Sequence, residues 1–169
     1  MSHNISQALL FEYDHEMGNL RKTLERVPEG RGHYLPHDKS MTLEKLAGHL
    51  VEIVDWASNV LTESAIDFNP PDGQRPERYV FTVRAEALAK FDTAMKRART
   101  LLAKTSDEQM MESWALKAGA HTVFSLPRMM AFRGFVMNHM IHHRAQLGVY
   151  LRLNDVPVPG LYGPSADEQ

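Results

Sequence analysis

Apolar residues recur every three or four positions in four stretches of this chain, the period of a helix with one buried face. The first stripe, Leu9, Tyr13, Met17, Leu20, Leu24 and Val27, predicts a helix from about Ser6 to Val27 that stops at Pro28-Glu29-Gly30. The second, Leu43, Leu46, Leu50, Ile53, Val54, Ala57 and Leu61, follows Ser40 and Thr42, either of which is suited to cap it. Asp67-Phe68-Asn69-Pro70-Pro71-Asp72-Gly73 then reads as a loop. A third helix is expected from about Phe81 to Lys104 on Leu88, Phe91, Met95, Ala98 and Leu102, with Arg84, Lys90, Lys96 and Arg97 forming a solvated face. The period fades between Thr105 and Val123, where a short strand or turn around His121-Thr122-Val123-Phe124 is expected. Ser125-Leu126-Pro127 reads as a serine cap with proline in the first turn, opening a last helix that runs to about Asn154. The Pro- and Gly-rich tail cannot prolong it.

The pattern predicts an all-α fold, a four-helix bundle whose long connections permit a crossover topology. Its 169 residues suit a single domain, 1–169, with an irregular C-terminal tail from about Asp155. A formal net charge of -2 argues against nucleic acid as a partner, because phosphate binding needs concentrated Lys and Arg. No apolar run approaches the ~20 residues of a membrane span, and MSHNISQALL lacks a basic stretch followed by an apolar core. The expectation is a cytoplasmic protein with no membrane partner. The chain has no cysteine, so any metal must be held by His, Asp or Glu.

Histidine placement supplies the candidate chemistry. In Asn138-His139-Met140-Ile141-His142-His143, residues 139 and 143 lie about 40° apart around a helix and about 6 Å apart along it, within reach of one ion. His143 shares its stripe with Phe132, Val136, His139, Leu147 and Tyr150, apolar on both sides and so turned inward. His142 lies on the stripe of Phe135, Asn138, Ala145 and Val149 and stands as the alternative to this pair. A single buried histidine is usually hydrogen-bonded core, but two stacked imidazoles carry nitrogens that are costly to bury unpartnered, and one divalent ion satisfies both. His49, on the stripe of Leu46, Ile53, Trp56 and Val60 in the second helix, offers a third ligand from a facing element. His15 lies on a polar stripe, and His3, His33, His37 and His121 fall in or beside irregular segments, from which His33 or His37 can still approach a site. A di-iron bundle needs two Glu-x-x-His motifs, and only Glu12-Tyr13-Asp14-His15 occurs. A zincin needs His-Glu-x-x-His, whereas Met140 follows His139.

Three segments carry a family resemblance: Leu46-Ala47-Gly48-His49-Leu50, the run Asn138-His139-Met140-Ile141-His142-His143-Arg144-Ala145-Gln146-Leu147, and the tail from Val158 to Glu168. Together they resemble the DinB/YfiT-like superfamily over nearly the whole chain. The resemblance implies a four-helix bundle, a divalent ion on His49, His139 and His143, frequent homodimers, and relatives that act as transferases or isomerases with low-molecular-weight thiols.

Three imidazoles leave an open coordination position, the arrangement of catalytic zinc sites. The expected function is a metal-dependent enzyme that activates a small thiol or water for attack on a small electrophile. Zinc is the first choice of ion, and nickel, manganese and iron also accept histidine. The alternatives are a non-catalytic metal-binding or stress-response bundle, and a metal-free bundle with hydrogen-bonded histidines. Gln146 and Tyr150 are placed either to orient a ligand or to pack. Arg144 reads as an interhelical or dimer ion pair, or as an anchor for an anionic thiol.

Overall fold

All six apolar residues of the first stripe and all seven of the second are buried, so both helices form where the period places them. In this computed structural model, which describes residues 2–75 and 77–168, they are α1 (Asn4–Leu24) and α2 (Leu43–Thr62). Of the expected span 1–169, Met1, Pro76 and Gln169 lie outside the described residues. Thr42 caps α2, its hydroxyl accepting from the Lys45 N–H at 3.4 Å. β1 (Ala65–Asp67) follows, then α3 (Arg84–Lys104), α4 (Asp107–Met111), β2 (Ser113–Ala118) and β3 (His121–Pro127). The last helix starts as α5 (Arg128–Ala131), widens into a π-helical segment (Phe132–Asn138) and continues as α6 (His139–Leu153).

Among the long helices, α1 and α2 each make their main contacts with α3 and α6 rather than with each other. α3 presents Ala87, Phe91, Ala94, Ala98 and Leu102 inward. Its other side is exposed, with Arg97 paired to Asp55 at 2.6 Å and Arg99 to Asp14 at 2.8 Å, in keeping with a solvated face.

The all-α expectation needs one correction. β1, β2 and β3 form a sheet in which β1 runs parallel to β2 and β2 antiparallel to β3, with Trp114 opposite Leu126 and Ser113 opposite Pro127. Ser125 and Pro127 are therefore strand residues rather than cap and first turn. The Ser125 hydroxyl is taken by that of Ser113 at 2.8 Å, and the helix begins without a side-chain cap. The β2–β3 turn carries Gly119 at φ +66°. The sheet buries Trp114, whose ring centroid lies 5.4 Å from that of Phe135 in the π-helical segment. Buried Arg128 donates to the carbonyls of Glu63 at 2.7 Å and of Val60, closing the C-terminus of α2 against the root of the last helix.

The other buried arginine sits in α6. Arg144, 2% exposed, pairs with Glu16 of α1 at 2.6 Å and also reaches the Glu16 carbonyl at 3.1 Å. The Tyr162 hydroxyl lies 2.9 Å from the Glu16 carboxylate and also contacts Arg144, which ties the tail to both helices. Of the readings open for Arg144, the structure selects the interhelical ion pair. Asp167 ties the tail to α6, accepting from Arg152 at 2.7 Å, and Glu168 folds it back on itself, accepting from the Gly160 N–H at 2.9 Å.

Removing one partner of a buried ion pair strands the other, at a cost of about 3–5 kcal/mol. Glu16→Ala is expected to lower the unfolding free energy by that amount in urea titrations and to expose the tail to limited proteolysis.

Candidate metal centre

His49 faces α6 from the middle of α2, while His139 opens α6 and His143 stands one turn on. The His139 and His143 Nε2 atoms are 3.0 Å apart, and those of His49 and His139 are 3.4 Å apart. One nitrogen from each of the three residues lies within 4.8 Å of the others, and this is the one such group among the described residues. Two nitrogens bound at ~2.0–2.1 Å to a tetrahedral ion lie roughly 3.3 Å apart, so the donor spacing fits a single ion.

The outward nitrogens set the tautomers. Nδ1 of His49 lies 3.3 Å from a Glu52 carboxylate oxygen, Nδ1 of His139 lies 3.3 Å from the Phe135 carbonyl, and Nδ1 of His143 lies 2.7 Å from Oε1 of Gln146. All three partners accept hydrogen bonds, so each neutral ring carries its proton on Nδ1 and turns an Nε2 lone pair toward the common point. Three lone pairs at these separations repel unless a cation lies between them. Protonating the rings would put positive charges side by side in a half-buried site. Burial and the neighbouring His143 and His49 accordingly push the pKa of His139 down to about 4. His143 is also lowered, by burial and by His49 and His142, with the Gln146 hydrogen bond opposing.

The supporting shell is aromatic. Trp56 packs edge-on to His49 at 5.4 Å and stacks on Phe135 at 5.2 Å. Phe135 was expected on the stripe of His142. The wider turns of the π-helical segment set it against Trp56 and His139 instead. The His139 N–H bonds to the Val136 carbonyl, while the Phe135 carbonyl serves the His139 imidazole.

Glu52 was not anticipated from the sequence. Burial works to raise its pKa, but hydrogen bonds from His49, from the Tyr79 N–H at 2.7 Å and from Arg78 outweigh this and hold it below the usual carboxylate range. Through the Tyr79 bond it fastens the 77–81 segment across α2. Gly48 makes the crossing possible, since a Cβ there would stand 2.1 Å from the Tyr79 carbonyl oxygen. Beside His49 this segment encloses a cleft of about 410 Å³ lined by Met41, Lys45, His49, Glu52, Arg78, Tyr79 and Val80.

The remaining candidates lie elsewhere. His142 is exposed, and its Nε2 is 3.1 Å from the Gln146 amide nitrogen, so the His139–His143 pair, not one with His142, meets His49. His15 contacts Asn19, His3 the Thr105 carbonyl, His33 the Glu44 carboxylate and His37 the Lys39 N–H. His121 is exposed on β3. Gln146 orients His143, whereas the Tyr150 hydroxyl donates to the Met41 carbonyl at 2.9 Å and serves packing.

A family model described as the DinB family matches residues 1–169. No curated protein matches the chain. Among solved structures it is similar to a DinB-like protein from Bacillus subtilis, at 19% identity and a TM-score of 0.63, over 96% of this chain and 98% of that one. It is also similar to a DinB-like protein from Bacillus cereus ATCC 10987, at 18% identity and a TM-score of 0.64, over 92% and 97% of the two chains. At these identities the likeness is one of fold.

A pH dependence follows from the depressed imidazole. Between its unfolded value of 6.5 and its folded value of about 4, His139 binds a proton more readily in the unfolded chain. Metal-free protein is therefore expected to lose stability as pH falls through that window, and His139→Phe to flatten the slope. Urea unfolding of chelator-treated wild type and variant, at about pH 7 and about pH 5, checks this.

Proposed function

The chain belongs to the DinB family, and from that premise we propose that it is a metal-dependent enzyme acting on small molecules. In this reading His49, His139 and His143 hold one divalent transition ion, zinc first and nickel, manganese or iron otherwise. The observation that carries it is the convergence of three Nε2 atoms whose rings each set Nδ1 against an acceptor, Glu52, the Phe135 carbonyl and Gln146.

A bound ion would supply Lewis-acid chemistry, lowering the pKa of a thiol or water in its open position. The chain's own residues do the rest. Glu52, Gln146 and the Phe135 carbonyl hold the rings in the tautomer that binds. Trp56 and Phe135 limit access of bulk water from one side. Glu52 is already engaged by three donors, which suits orientation of His49 rather than general base catalysis. With no cysteine in the sequence, a thiol nucleophile would be a cosubstrate.

The rival reading is a non-catalytic metal-binding or stress-response protein. Structural zinc sites generally have four protein ligands, and the group here has three among the described residues, which favours the catalytic reading. The same proposal covers a single domain whose long helices form the family's four-helix bundle with a crossover. It also covers a homodimer working in the cytoplasm. No helix among the described residues is long and apolar enough to cross a membrane.

Elemental analysis of untagged protein is expected to find about one divalent ion per chain in wild type and a marked loss in His139→Ala; equal content in the two would end the proposal. Turnover with a panel of small thiols and electrophiles should vanish on chelation and return with added metal. Glu52→Ala should weaken metal binding by about 10–100-fold in competition with a chromogenic chelator, because His49 loses the acceptor that fixes its tautomer.

A further inference from the structure

A separate hollow of about 270 Å³ is lined by Glu52, Trp56, Phe68, Arg75 and Arg78, and by none of the three clustered histidines. Its wall is aromatic. The half-buried rings of Trp56 and Phe68 lie 5.3 Å apart at 58°, and Trp56 is held from behind by stacking on Phe135 at 5.2 Å. Two half-buried rings leave apolar surface that one more planar group can cover. Its charge is positive. Arg78, 64% exposed, lies 3.3 Å from Glu52 with its guanidinium 5.7 Å above the Phe68 ring. Arg75 donates to the side-chain oxygen of Asn69 and forms no ion pair among the described residues. Glu52 is the one carboxylate in the lining, and the Tyr79 N–H and His49 already engage it alongside Arg78. Two guanidinium groups thus share one committed carboxylate at the edge of an aromatic wall.

We infer that this hollow binds a small aromatic carboxylate. The ligand's ring covers Trp56 and Phe68, and its carboxylate meets Arg75 and Arg78, whose planar forks match the two carboxylate oxygens. The volume suits a single ring with a short substituent. Arg78 can turn from Glu52 to the incoming anion, because Glu52 keeps its bonds from Tyr79 and His49. Arg75 gives up only a neutral amide oxygen. A neutral ring of the same shape gains nothing from the arginines, and an anion without a ring gains nothing from the wall. Trp56 also packs 5.4 Å from His49 and 5.9 Å from His139, so the ligand rests on the same indole as two of the imidazoles. The inference does not depend on a bound metal ion.

The chain has two tryptophans, so indole N–H signals in proton–nitrogen NMR spectra supply both a reporter and a control: Trp56 lines the hollow and Trp114 lies in the core. Trp56→Phe identifies which signal is which. Benzoate, benzamide and acetate separate ring from charge. In the full-length protein, as purified and after chelation, benzoate is expected to shift the Trp56 signal saturably and to leave Trp114 unmoved. It should bind about tenfold more tightly than benzamide or acetate, as a charge-assisted contact implies. Arg75→Met should remove part of that advantage, and Arg75→Met with Arg78→Met should leave benzoate no better than benzamide, with an unchanged Trp114 signal showing that the variants are folded. Equal affinity for benzoate and either comparison compound in wild type would overturn the inference, as would an advantage that survives in the double variant. Benzoate binding that disappears on chelation would also overturn it, because the carboxylate would then be reading an ion and not the arginines.

Discussion

Three nitrogen lone pairs brought to one point constitute an electrostatic problem that the surrounding fold keeps in place rather than relieves. Each ring would escape the repulsion by rotating, by taking a proton or by swapping tautomer. The aromatic packing of Trp56 and Phe135 opposes rotation, and half-burial beside other imidazoles opposes protonation. Acceptors at all three Nδ1 atoms oppose the swap. A native arrangement with every exit blocked is understandable if a cation completes it, since the attraction of one divalent charge for three dipoles outweighs their mutual repulsion.

The architecture serves that arrangement from several directions. Arg128 joins the end of α2 to the start of the last helix, which fixes the spacing of the two elements that carry the three histidines. The π-helical segment then adjusts the phase of the helix just ahead of His139, and Phe135 becomes both a packing surface and a carbonyl acceptor. Gly48 lets the 77–81 segment lie directly on α2, so Glu52 meets a backbone N–H as well as an imidazole. Each device is local, and together they define one corner of the molecule.

Much of this was legible in the letters. The stripes of α1 and α2 follow from burial of one face, and the pairing of His139 with His143 follows from helical rise and twist alone. His49 was legible because one inward histidine on a second long helix has few other uses. What escaped notice depends on distant partners. Ser113–Ala118 consists largely of residues content in a helix, and only pairing with β1 and β3 makes it a strand. Ser125-Leu126-Pro127 carries the signature of a helix start, but pairing with β2 claimed the serine, whose hydroxyl meets that of Ser113, twelve residues back in the chain. Glu52 stands three residues after His49, close enough on a helix to be noticed. Its importance nonetheless rests on Tyr79, twenty-seven positions away. The π-helical widening has no periodic signal at all over seven residues.

Arg144 directly follows His143, and its side chain is clasped on the far side of α6 by Glu16 and Tyr162. Swivelling this helix would drag a guanidinium out of its acidic socket, so the angular spread of the two α6 imidazoles is decided when the polypeptide collapses and not when an ion arrives. On the proposed reading, capture of a metal would need little reordering of side chains, and a segment remote from the three imidazoles becomes part of what makes them rigid.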